Sequence, residues 1–528
     1  MRLLNCKNMQ MKEFFDSDIP SYAILSHTWG DDEVSYQDFR DGSYLEEGSG
    51  FTKIRGFCAK VSLDWGHLIS WVWIDTCCID KSSSAELSEA INSMFRWYRR
   101  SSMCFAYLSD VEYSGSLDDE NLAFRYSRWH TRGWTLQELL APRVMQFCDK
   151  SWNTIGDKYT LAGTIAEVTN IPIQFLRRGQ SVHEATIAQR ISWASARVTS
   201  RKEDMAYCLL GLLDINMPLL YGEGDKAFIR LQEELVRTTY DHTILAWGLN
   251  CPMPRISYPA LPFPTCFANS PAAFRAWDPE ITSIIGGKHY SQTNLGIYID
   301  LRITKFENYK NMGLAFLDCG PVGRDPSQVV GLPLELHELP TGVVLATRAY
   351  SNAPFLVPLK SDCSRTPVYL PLKRWQPPSG LAFNVAIELA PFIDLGYYLA
   401  DFFPTPSITY PSITNRAEDS LVFKDEVNCQ RLFRLCHPSY TTILLFIEPT
   451  HSDLHPEIKA ELRVAPTTRT LTSWHLLIEP DFDRVGFDEL YKSVSWTLRG
   501  HLTSSNDWVY TGELSIDKDE IVALSSVV

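Results

Sequence analysis

The stretch Leu68-Ile69-Ser70-Trp71-Val72-Trp73-Ile74-Asp75 constrains the fold more than any other. It is apolar on both faces, so protein must cover both, as on a central strand of a parallel sheet. Its surroundings agree. Tyr22-Ala23-Ile24-Leu25-Ser26 is a short apolar run closed by Trp29-Gly30-Asp31, and reads as a second buried strand. Between the two, residues 51–65 set Ile54, Phe57, Cys58 and Val61 on one helical face. Ser83-Ser84-Ala85-Glu86 has the pattern of a capping box. It opens a helix whose Leu87, Ile91, Met94, Phe95 and Tyr98 form one apolar stripe. Residues 103–108 and 144–148 read as further strands, with a short helix over 134–140 between them. Strand and helix in alternation predict an α/β domain over residues 1–157, with a parallel sheet and right-handed crossovers.

Parallel sheets bind ligands beyond the carboxyl ends of their strands. Here those ends are Ser26-His27-Thr28-Trp29-Gly30, Asp75-Thr76-Cys77-Cys78 and Leu108-Ser109-Asp110, so polar residues gather where a pocket is expected. Arg132-Gly133-Trp134-Thr135-Leu136-Gln137-Glu138-Leu139-Leu140 reads as a loop turning into a helix, with Glu138 behind Trp129 and Trp134. A carboxylate among apolar aromatics is kept from water, and its pKa is then open to tuning. A glutamate in a first helical turn also has a plainer role, since the macrodipole favours it there. The neighbours have plainer roles as well: Trp29 as a core plug, Asp75 as a cap of its own loop, His27 as a partner of an adjacent strand end.

The net charge of −14 argues against a broad nucleic-acid surface, which needs clustered Lys and Arg. With 45% hydrophobic and 21% charged residues the composition is that of a soluble globular protein. No apolar run approaches the length of a membrane span, and the first residues lack the apolar core of a signal peptide. The 13 cysteines are scattered, and several fall in apolar patterns, as reduced buried thiols do in a cytoplasmic protein. No C-x-x-C occurs, so no metal site and no disulfide is expected. His451 and His455 read as surface residues of a loop.

Residues 158–250 look helical, with periodic runs over 187–194, 205–213 and 226–239. From 251 to 528 prolines become frequent, and short β-rich runs recur at 296–303, 343–347, 441–447, 474–478 and 494–498. These predict a β-rich domain, a sandwich or barrel, with a boundary near 248–254. No motif there is tied to chemistry.

Tyr22-Ala23-Ile24-Leu25-Ser26-His27-Thr28-Trp29-Gly30, Val72-Trp73-Ile74-Asp75-Thr76-Cys77-Cys78-Ile79-Asp80 and Arg132-Gly133-Trp134-Thr135-Leu136-Gln137-Glu138 resemble the three signature blocks of the fungal heterokaryon incompatibility (HET) domain. Met217-Pro218-Leu219-Leu220-Tyr221-Gly222-Glu223-Gly224 and Ala246-Trp247-Gly248 resemble the extension that follows it in many such proteins. The resemblance implies a cytoplasmic role in non-self recognition and programmed cell death. HET domains are distantly similar to TIR domains, which implies a flavodoxin-like sheet. Gly133-Trp134-Thr135-Leu136-Gln137-Glu138-Leu139 looks like the plant TIR pattern, whose glutamate is catalytic in the NAD+-cleaving members. The resemblance thus implies NAD+ as a substrate, no resident cofactor, and Glu138 as the catalytic carboxylate. Ser26, His27, Trp29, Gly30, Asp75, Arg132 and Trp134 would line the substrate site: a tryptophan to stack on a flat ring, Arg132 to hold a phosphate. Residues 75–86 fall in the place of the TIR loop used in self-association. The alternative is a non-catalytic module that signals by association, with the β-rich half binding a protein partner.

Overall fold

The structure, a computed structural model, describes residues 1–112, 123–177, 179–249, 266–284, 290–305, 312–322, 328–348, 354–359 and 363–372, and then strands between 382 and 516. The first of two compact units comprises Met1–Cys251, Phe267–Ile285 and Pro321–Arg324. Within it β1 (Arg2–Asn5), β2 (Met11–Glu13), β3 (Tyr22–His27), β4 (Trp71–Trp73), β5 (Met103–Tyr107), β6 (Met145–Cys148) and β7 (Thr154–Asp157) form one sheet, in the order β2-β1-β4-β3-β5-β6-β7.

The middle strands β4-β3-β5-β6 are parallel, as the alternation predicts. Their sequence order is second, first, third, fourth, which is the flavodoxin-like order with its switch between β3 and β5. Three further strands extend the sheet at its edges and are antiparallel: β1 pairs with β4, β2 with β1, and β7 with β6. These edge strands have three or four residues each, too few for a period to show. Strand β4 itself is shorter than its apolar run, because the chain turns at once, with the Cys78 N–H bonded to the Ile74 carbonyl at 2.9 Å.

Helix α1 spans Tyr36–Asp41, α2 Ser49–Trp65 and α3 Ser84–Arg100. The crossovers from β3 to β4 and from β4 to β5 run in opposite directions across the sheet, so right-handed connections put α2 and α3 on opposite faces. Phe57 of α2 meets Phe105 with ring centroids 5.7 Å apart, and Trp97 and Tyr98 of α3 meet Trp73 at 5.6 and 5.9 Å. The expected capping box on α3 is half formed. The Ser83 hydroxyl accepts the Glu86 N–H at 3.4 Å, but the Glu86 carboxylate accepts the Asp80 N–H and both amino groups of the Arg2 guanidinium. A long-range cation outbids the local return bond.

The helical run after residue 158 is present as Ile187–Ser192, Asp204–Tyr207, Leu210–Leu213 and Lys226–Thr238. A Cβ at Gly211 would lie 2.1 Å from that of Phe95, so a glycine lets this extension rest against α3. No helix among the described residues is long and apolar enough to cross a membrane. The ten described cysteines are free thiols.

The second unit is β-rich. Gly296–Lys305, Met312–Phe316, Gln328–Glu338, Val344–Arg348 and Arg365–Leu370 close a five-stranded barrel. Its first strand buries Ile297, Ile299, Leu301 and Ile303 in strict alternation. Two four-stranded sheets follow, with 382–388, 420–426, 494–502 and 508–516 in one, and 398–403, 431–436, 442–451 and 456–465 in the other. All pairings within these two sheets are antiparallel except that of 382–388 with 508–516. The strand expected at 474–478, His455 and the boundary at 250–251 lie outside the described residues.

Candidate functional site

Ser26 stands near the carboxyl end of β3, completely buried. Its hydroxyl donates to Glu138 Oε2 at 2.5 Å and accepts the Trp129 indole N–H at 2.9 Å. Glu138 lies on α4 (Thr135–Leu140), a short helix with all six residues buried. The buried Lys158 ammonium closes the far end of α4 by donating to the Leu139 and Pro142 carbonyls at 3.0 and 2.7 Å. Glu138 is therefore only 6% exposed and lies beneath the surface, not in the open pocket expected at this edge. Ser26, Tyr98 and Arg197 stand around its carboxyl, and Leu136, Leu139 and Leu140 of α4 are themselves buried.

Burial pushes the Glu138 carboxyl up to about 8. The Ser26 hydroxyl pulls it down, the charge of Asp75 adds to the rise, and Tyr98 and Arg197 oppose it. Burial therefore favours the neutral form of the carboxyl.

A second cluster lies beside it. Asp75, just past β4, meets His27 Nε2 at 2.9 Å and accepts the Trp29 indole N–H at 2.8 Å. Burial raises its pKa, but the His27 bond and charge, the Lys81 charge and the Trp29 bond outweigh this and hold it well below the usual carboxylate range. His27 Nδ1 lies 3.8 Å from Glu33 and has no hydrogen-bond partner. Glu33 accepts the Gly30 N–H at 2.7 Å and pairs with Lys53. Trp29 is 47% exposed, with the Lys81 ammonium 3.6 Å over its ring. So Ser26, His27, Trp29, Gly30, Asp75 and Glu138 are assembled around the carboxyl edge.

Arg132 and Trp134 are not. The Arg132 guanidinium donates to the Ser200 hydroxyl at 3.2 Å, and the Trp134 side chain bonds Asp204. The reason is local: the Gly133 N–H bonds the Val198 carbonyl at 2.9 Å, and this ties the loop to the helical extension. A Cβ at Gly133 would come within 2.5 Å of Thr199 Cγ2, so only glycine permits that approach. In place of Arg132 the cation near Glu138 is Arg197, 5% exposed, which donates to the Arg132 carbonyl at 2.8 Å and the Thr135 hydroxyl at 2.9 Å. Nothing in the spacing marks Arg197; only the need of a buried carboxyl for a nearby cation points to such a residue. Tyr98 was legible only as a member of the α3 stripe. His130 is also new. It is buried against Phe124 and Trp129, and burial followed by the Arg197 charge pushes it down to about 4.

Residues 22–126 match the family described as heterokaryon incompatibility protein (HET). That span holds Ser26, His27, Trp29, Gly30 and Asp75 and ends before Glu138. Over 231 residues, 42% of this chain, the sequence is 47% identical to the vegetative incompatibility protein HET-E-1 of Podospora anserina. The chain spans 17% of that relative's length. No solved structure matches. The family match covers the strands that carry two of the signature blocks, and residues 22–126 of this chain form a HET domain.

Proposed function

We propose that this chain acts in vegetative incompatibility, and that its HET domain acts by cleaving NAD+ with Glu138 as the catalytic carboxylate. One observation carries the mechanism: a buried, hydrogen-bonded carboxyl beside the switch between β3 and β5, where flavodoxin-like sheets bind ligands. The likeness of residues 133–139 to the TIR pattern supports the same assignment.

The chemistry asks little of the site. The nicotinamide–ribose bond breaks, and its electron pair leaves with nicotinamide, which becomes neutral and needs no proton. Positive charge develops on the ribose, and a carboxylate close by stabilises it, as in glycoside hydrolysis. Water then adds, giving ADP-ribose, nicotinamide and one proton. A carboxylate does this best out of water, but it must be ionised. The cationic pyridinium of NAD+ favours ionisation of a neighbouring carboxyl, so substrate binding itself lowers the Glu138 pKa. Trp29, half exposed, supplies a face for a flat ring. Asp75, held ionised, supplies an acceptor for ribose hydroxyls. Access requires the cover over the carboxyl to rearrange, since Glu138 is 6% exposed.

That same burial favours a second reading, in which the fold signals by association and Glu138 is structural. Self-association would then use the HET domain, and the β-rich unit would bind a protein partner. Either way the reading places the protein in the cytoplasm, where thiols stay reduced. Purified protein incubated with NAD+ separates the two. Nicotinamide release by the wild type and none by a folded Glu138→Gln variant supports catalysis. Full cell killing by that variant leaves association as the mechanism.

A further inference from the structure

A cavity of about 800 Å³ opens at the amino edge of the sheet, at the other end of the strands from Ser26. Ser102, just before β5, and Val144, just before β6, lie in its wall. Arg96, Arg99 and Arg100 reach it from the last turns of α3, and Arg143 from the loop before β6. The size suits a small-molecule ligand.

Helix geometry puts Arg96, Arg99 and Arg100 on one face, at i, i+3 and i+4. Arg96 donates to the Ser93 hydroxyl at 3.1 Å. Arg99, Arg100 and Arg143 have no ion-pair partner among the described residues. Asp214 is the one carboxylate in the wall. Four guanidinium groups against one carboxylate run counter to a chain of net charge −14. The macrodipole favours cations at the end of α3, but it does not bring in Arg143 from another element or leave a cavity between them. Guanidinium forks match phosphate oxygens two bonds at a time. A second cavity of about 370 Å³ shares Arg96, Arg100 and Ser102 and is walled by Phe14, Phe15 and Trp97.

We propose that this cavity binds a small, multiply phosphorylated molecule through Arg96, Arg99, Arg100 and Arg143. The site is separate from Glu138, and the proposal stands whether or not NAD+ is cleaved.

Titration calorimetry on the full chain tests it, with sodium tripolyphosphate, ATP and AMP at matched ionic strength. Tripolyphosphate and ATP should bind and raise the Tm, and AMP should bind at least about tenfold more weakly. Arg99→Ala and Arg143→Ala should each weaken tripolyphosphate by about tenfold or more. Arg143→Lys, which keeps the charge and loses the fork, should fall between. Arg40→Ala, at an exposed arginine paired with Asp41, and Glu138→Gln should bind as the wild type does. Tighter binding of ATP than of tripolyphosphate identifies a nucleotide, its base against the aromatic walls. Equal binding identifies recognition of the phosphate chain alone. Absence of binding by all three ligands, or arginine variants with circular dichroism and affinity both unchanged, would overturn the proposal.

Discussion

At the carboxyl ends of β3 and β5 a single carboxyl is buried among a serine, an indole and a tyrosine. At the amino ends of β5 and β6, four guanidinium groups surround an open cavity. The same sheet thus carries a closed, carboxyl-bearing site at one edge and an open, cationic one at the other. The difference teaches that position on the sheet and type of chemistry are set separately. The topology chooses which residues meet, while local packing decides whether water reaches them. It also means that the two ends can be perturbed one at a time.

The largest expected effect is on cleavage. Glu138→Gln keeps the shape and removes the charge, and should lower nicotinamide release at least about 100-fold without moving tripolyphosphate affinity. Loss of both at once would show that the two ends are coupled.

The next concerns stability against pH. The folded Glu138 pKa, about 8, lies above its ordinary value of 4.5. The folded state therefore binds more protons than the unfolded one between these values. The stabilisation is complete below the unfolded value and is lost as pH rises through the folded one. Urea titrations should show the wild type losing stability relative to Glu138→Gln between pH 4.5 and 8, by a few kcal/mol at the order-of-magnitude level. Parallel curves for the two proteins would mean that the carboxyl is solvated in solution.

Gly211→Ala acts nearer the other end. Its Cβ would meet Phe95, so unfolding should become easier by about 1–3 kcal/mol. Tripolyphosphate should recover part of the loss, because Gly211 borders the cationic cavity. The smallest effect is expected from Ser26→Ala. The hydroxyl lowers the Glu138 pKa, so its removal should shift the acid limb of the cleavage rate to higher pH. A shift to lower pH would contradict the hydrogen-bond assignment.

Much of this comparison is legible in the sequence, but unevenly. The four parallel strands announce themselves, because their apolar runs and the helical stripes between them differ in period. Strands β1, β2 and β7 do not, being too short and paired only at the edges. Ser26 and Glu138 could be brought together on paper, since one ends a strand and the other opens a helix. Arg132 could not be told from Arg197, because the glycine between Arg132 and Trp134 gives no hint that it bonds Val198. Shielding of Glu138 could be expected from its aromatic neighbours, but its depth depends on how the whole of α4 is covered. The arginines of α3 are plain in the sequence, yet only the fold sets Arg143 opposite them.

Arg197 comes from the helical extension, and it holds the loop and the helix that carry Glu138. A fragment ending at residue 157 would keep the carboxyl and lose the clasp. The unit that holds the carboxyl in place is accordingly larger than the span 22–126. Gene fusions that respect the clasp should yield working chimeras, and those that cut inside it should yield proteins with the domain's signature and no function.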